Sequence, residues 1–182
     1  MSPPLFAHLV TSGLGPIYDG IAHVFVTFED LIPIVAIGFL AGQNGPRAAR
    51  TALLVITVTW FAFGAVGWWA AVPASLPFPG IGLFVLLGVL IALGWPLPLP
   101  AIAGLAAILG ALHGMVNGAD IARDARDPVA LVGIAATVFV LMTLSSAHVV
   151  GLTAPWSRVA VRVAGSWIAA IGMLMLGWAL RG

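Results

Sequence analysis

Residues 129–152 read VALVGIAATVFVLMTLSSAHVVGL, a run without Asp, Glu, Lys or Arg. A helix rises 1.5 Å per residue, so about 20 apolar residues cross a hydrocarbon core of about 30 Å. This stretch is long enough and apolar enough to be a membrane span, and the rest of the chain has the same character. Of 182 residues, 62% are hydrophobic and only 7% charged, with a mean hydropathy of +1.14. Soluble domains carry about 25% charge. So few charges cannot hydrate a surface of this size, and lipid is the natural solvent for the chain.

Working outward, five further segments have span character: 17–41, 49–71, 80–95, 98–119 and 159–180. The segment 80–95 is short and bracketed by the proline-rich stretches VPASLPFPG and WPLPLP, so it and 98–119 could also be read as a tight or partly re-entrant hairpin. The expected fold is all-α: a polytopic transmembrane bundle of about six helices forming one domain over 1–182. Short connections make neighbouring helices antiparallel, and a three-plus-three inverted arrangement is compatible with the pattern. Trp68, Trp69, Trp95, Trp156 and Trp178 fall near predicted span ends, where aromatic belts form. Trp60 and Trp167 do not fit that rule. Gly110, Gly114 and Gly118 repeat every four residues, with Gly104 upstream, and so mark a face for close helix approach.

Several function classes drop out. Net charge is +1, there is no Lys, and the seven Arg are scattered, so no basic face for nucleic acid exists. Without Cys there are no disulfides or thiolate metal sites. MSPPLFAHLV lacks the basic region and cleavage site of a secretory signal, and the chain is expected to insert by its own helices. Arg47, Arg50, Arg158 and Arg162 would lie on one side, Arg123, Arg126 and Arg181 on the other. By the positive-inside rule this favours both termini outside. A bacterial inner membrane is the expected location.

The polar residues inside these spans carry the functional reading, because ionisable groups in a membrane are costly. His23, Thr27 and Asp30 stand at i, i+4 and i+7, and so do His113, Asn117 and Asp120. On a continuous helix each set forms one stripe. The first lies early in segment one and the second late in segment four. These segments run oppositely, so both stripes fall toward the same side of the membrane. Glu29 sits about 100° around the helix from Asp30. Imidazoles suit divalent transition metals, and carboxylates neutralise their charge. A proton relay is the other chemistry open to such a set. His148, in SSAHVVG, lies toward the opposite side, as an exit-side ligand or a structural His. Tyr18 and Asp19 are expected to shape the mouth of the first segment, Asp19 as a surface charge. His8 is expected to be exposed.

The same residues carry a resemblance. HVFVTFEDLIPIVAIGFLAG resembles the HPxxGxDHxxAMxxVG signature of the HupE/UreJ family of membrane proteins. His23 matches its first His and Gly38 its last Gly, while Glu29 stands at the family's Asp, Asp30 at its second His and Pro33 at its Ala. HGMVNGAD is similar to the family's HGxAHGxE, with His113, Gly114 and Gly118 matching, Asn117 replacing a His and Asp120 a Glu. RVAGSWIAAIGMLML is similar to the family's last helix. The resemblance implies a nickel or cobalt permease, some relatives being associated with hydrogenase or urease. The cation, with zinc or manganese as further candidates, would be substrate rather than a tightly bound cofactor. Its expected site is His23, Glu29, Asp30, His113, Asn117 and Asp120. Replacement of two family imidazoles shifts the donor set toward oxygen.

Two other readings stand beside the permease. A His/Asp cluster can hold a hydrolytic metal with an open position, although neither HExxH nor GxSxG occurs. An accessory membrane subunit of a metalloenzyme system is the third, and the short loops argue against a docking role. Expected partners are the lipid bilayer and the metal ion, and the chain is compatible with a homo-oligomer.

Overall fold

The computed structural model describes residues 12–70, 77–124 and 126–181. His8 and most of the proline-rich stretch at 72–80 lie outside them. The described residues form helices and connecting turns: α1 (Pro16–Val26), α2 (Phe28–Gln43), α3 (Pro46–Ala70), α4 (Pro77–Leu93), α5 (Leu99–Arg123), α6 (Ala130–Val150) and α7 (Pro155–Ala179). The all-helical bundle expected from composition is what forms, and the chain is an integral membrane protein. Four helices (α3, α5, α6 and α7) are long and apolar enough to cross a membrane, and α1 with α2 makes a fifth if the bent pair counts as one span.

The six predicted segments give seven helices among the described residues, because the first segment is broken in two. Thr27 adopts an extended conformation (φ −89°, ψ 91°), and the helices on its two sides are bent by 77°. The break keeps its backbone hydrogen bonds. Thr27 N–H donates to His23 O at 2.9 Å, closing α1, and Thr27 O accepts from the Asp30 and Leu31 N–H groups at 2.9 and 3.0 Å, opening α2. Glu29 and Asp30 occupy the first turn of α2, where the positive end of the helix dipole favours carboxylates. Pro33 lies just beyond and lacks the N–H that would bond to the Glu29 carbonyl, which loosens that turn. Neither α4 nor α2 alone has the length of a full span. α5, on the other hand, is a full-length helix rather than half of a hairpin.

Glycines set how the helices meet. Gly110 of α5 lies against Ile56, Thr59 and Trp60 of α3, Gly114 against Trp60, and Gly118 against Gly64 and Trp68. At Gly114 and Gly118 the neighbour is backbone, so a Cβ would overlap it. The two sets of numbers rise together, so α3 and α5 run parallel with their backbones in contact. This is the small-residue seam that the four-residue spacing predicts; Gly104 takes no part in it. Gly38 and Gly42 of α2 pack in the same way on Ser145, Ser146 and Val149 of α6, again in parallel. Gly88, Gly165 and Gly172 join α4 and α7 in antiparallel fashion, Gly88 on Ala169 and Gly165 on Ile91 and Ala92.

These pairings follow a simple rule. Exchanging α2, α3 and α4 for α5, α6 and α7 turns the α2–α6 pair into α5–α3 and leaves α4–α7 and α3–α6 unchanged, and all four pairs are in contact. The packing is thus compatible with the three-plus-three arrangement. α1 departs from it: it crosses the first turns of α6, with Gly20 against Ala130 and Ile134 and Gly133 against Ile17. The lead-in is tied down by Asp19, whose carboxylate accepts the Ser12 N–H and hydroxyl, each at 2.6 Å; Tyr18 is exposed.

Candidate polar site at the α1–α2 break

The bend at Thr27 gathers groups from four helices. Asp30, on the first turn of α2, is 3% exposed, and its two oxygens face different partners. Oδ1 lies 2.7 Å from His113 Nδ1 of α5. Oδ2 accepts from Asn117 Nδ2 of α5 at 3.0 Å and lies 3.4 Å from His23 Nε2 of α1. Asn117 Nδ2 also lies 3.3 Å from His23 Nε2, and the Thr27 hydroxyl stands 3.5 Å from His23 Nδ1. His23 and Asn117 are buried. α3 supplies the wall: Trp60, fully buried, donates from Nε1 to Asn117 Oδ1 at 3.0 Å, and its ring lies 5.2 Å from the His113 ring, tilted by 32°.

Four of the six residues expected at the site therefore meet: His23, Asp30, His113 and Asn117. The route by which they meet is not the one the spacing implied. His23 and Asp30 do not share a helical stripe, because Thr27 interrupts the helix between them; the bend folds α1 back so that His23 reaches Asp30. Asp120 continues the α5 stripe but binds elsewhere, accepting from Arg123 Nη1 at 2.7 Å. That exposed cation three residues away competes for the carboxylate. Glu29, about 100° around α2 from Asp30, is exposed. His148 is exposed in the last turn of α6, and α6 begins near the cluster and ends away from it. Trp60 was not among the expected site residues. The one sequence signal pointing to it is that it falls outside the aromatic belts.

The cluster's chemistry follows from its donors and acceptors. An ionised carboxylate only accepts, so the contact with Asp30 Oδ1 puts a proton on His113 Nδ1 and directs its Nε2 away from the carboxylate. This is the carboxylate–imidazole pairing that orients a histidine ligand toward a metal. Among the described residues, no three or more His, Cys, Asp or Glu side chains are arranged to hold a metal ion. The polar atoms are instead bonded to one another, in a closed arrangement that satisfies a buried charge.

Neither a curated protein nor a solved structure matches the chain. A family model does, over residues 1–175, and its description is HupE / UreJ protein. That match takes in both polar stretches that build the cluster and all the helices of the bundle save the end of α7, and so the chain belongs to the HupE/UreJ family.

Proposed function

We propose that this protein is a secondary transporter for a divalent transition-metal cation of the nickel or cobalt kind, with the His23–Asp30–His113 cluster as its ion site. The observation that carries this reading is the convergence of two imidazoles on one buried carboxylate at a helix break. Discontinuous helices with polar groups at the break are how many transporters build substrate sites inside a bilayer. The family, associated with nickel or cobalt transport and with hydrogenase or urease maturation, agrees with it.

In this reading the bundle holds the closed form. A cation entering at the break would replace the hydrogen bonds within the cluster, with His23 turning toward it beside the held His113 ring while Asp30 balances its charge. Exposed Glu29 and the Asp120–Arg123 pair would line the approach. His148, at the far end of α6, would serve the exit. Between the two sides, Ile34, Ile37, Leu40 and Ala41 of α2 are fully buried, so transport needs the halves to move relative to each other. With the N-terminus outside, as the Arg distribution favours, the cluster opens outward and the direction is uptake into a bacterial cytoplasm.

The test is uptake into proteoliposomes offered nickel, cobalt, zinc and manganese separately. Uptake of at least one of these ions is expected, and the double change His23→Ala/His113→Ala should abolish it. If none of the four ions moves, or if the double variant transports normally, the proposal fails.

A further inference from the structure

Trp60 contributes two separate contacts to the cluster, and together they restrict what the cluster can offer a cation. An indole N–H is a donor only. The Asn117 atom facing it must be the amide oxygen, so the amide is fixed in one of its two orientations. The amide nitrogen then faces inward, donating to Asp30 Oδ2 at 3.0 Å and lying 3.3 Å from His23 Nε2. Asn117 thus faces the cluster as a donor, and its oxygen is withheld. The indole ring also lies over the His113 imidazole, limiting the ring's rotation about Cβ–Cγ.

We infer that Trp60 is a positioning residue that sets ion preference: by holding Asn117 as a donor, it removes an oxygen ligand and leaves imidazole nitrogen as the leading donor atom. The selectivity part rests on the transport reading; the amide orientation does not. The structure of the site therefore favours nitrogen-preferring cations such as nickel over oxygen-preferring ones such as manganese, even though Asn117 replaces an imidazole of the family pattern. Trp60→Phe keeps a ring over His113 and removes only the donor. Asn117 is then able to turn its oxygen inward.

The experiment has two arms on the same nanodisc and proteoliposome preparations. In ¹⁵N-labelled wild-type protein, the Asn117 side-chain amide protons should show nuclear Overhauser contacts to the His23 or His113 rings and none of comparable strength to the Trp60 indole proton. A strong amide-to-indole contact overturns the proposal without any variant. In Trp60→Phe, checked for helical content and monodispersity, the Asn117 amide signals should shift and exchange faster, and the manganese-to-nickel uptake ratio should rise about tenfold. In an Asn117→Leu background the same Trp60 change should leave that ratio where Asn117→Leu put it. Unmoved amide signals, an unchanged ratio, or a shift that persists without Asn117 each overturn the assignment. If wild-type vesicles take up neither ion, the transport reading and the selectivity claim fail together, while the amide signals still decide whether Trp60 orients Asn117.

Discussion

The two ends of α2 solve the same problem with different chemistry. At its N-terminal end a carboxylate, two imidazoles, a carboxamide and an indole are bonded side chain to side chain across α1, α2, α3 and α5. At its C-terminal end the polar groups are neutral amides that bond to backbone. Asn44 donates to Leu40 O at 2.8 Å and accepts from Leu97 N–H at 2.7 Å. Gln43 donates to Ile91 O at 3.2 Å. Most protein hydrogen bonds involve backbone, and side-chain-to-side-chain networks are the minority. The C-terminal end is therefore an ordinary joint that fastens the α2–α3 turn to the α4–α5 connection. The N-terminal end carries an ionisable group that a joint does not need, and the cost of burying it is met by three neighbours. The contrast teaches that polarity inside a membrane helix is functional evidence only when the groups can change charge or partner.

The comparison is easiest to break at Asp30. Asp30→Ala leaves the His113 and Asn117 donors without their acceptor, at about 1–3 kcal/mol per unsatisfied group. We expect a lower unfolding temperature in detergent and metal uptake reduced by roughly 100-fold; uptake near normal would place the cluster among the joints. Asn117→Leu should reduce nickel uptake about tenfold, since it removes one bond to Asp30 and the contact with Trp60 but leaves both imidazoles. Asp120→Asn and Glu29→Gln should stay within about threefold of the parent in the same assay, because an exposed pair such as Asp120–Arg123 contributes little. A loss as large as that for Asp30 would return Asp120 to the site. The smallest effect belongs to the other end. Gln43 Oε1 is buried without a hydrogen-bond partner among the described residues, and Ile91 O retains the Gly94 N–H at 3.1 Å. Gln43→Leu should therefore change stability by no more than about 1 kcal/mol, read by thermal unfolding, and leave uptake intact.

Much of this was legible in the sequence. Span positions follow from hydropathy alone, and α3, α5, α6 and α7 begin and end within a few residues of the predicted segments. The glycine seam followed from a spacing of four. His23, Asp30, His113 and Asn117 were legible because ionisable and amide groups are rare in such a chain. Periodicity failed where its premise failed. It assumes one continuous helix through Thr27, whereas an extended β-branched residue, two acids and Pro33 within seven positions start a new helix there. It also assigns Asp120 by direction only and takes no account of Arg123 one turn on. Trp60 was hidden for a different reason: an indole in an apolar span reads as packing, and only the partner across the helix seam reveals what its N–H does.

The α3–α5 seam also divides the labour of movement. Where glycine brings two helix backbones into contact there is no side-chain layer to slide, so α3 and α5 behave as a single post. That post carries His113, Asn117 and Trp60 in fixed relation. Whatever rearranges the cluster must then act through His23 and Asp30, the two members mounted on either side of the kink, with α1 carried by the first turns of α6, against whose backbone Gly20 and Gly133 hold it.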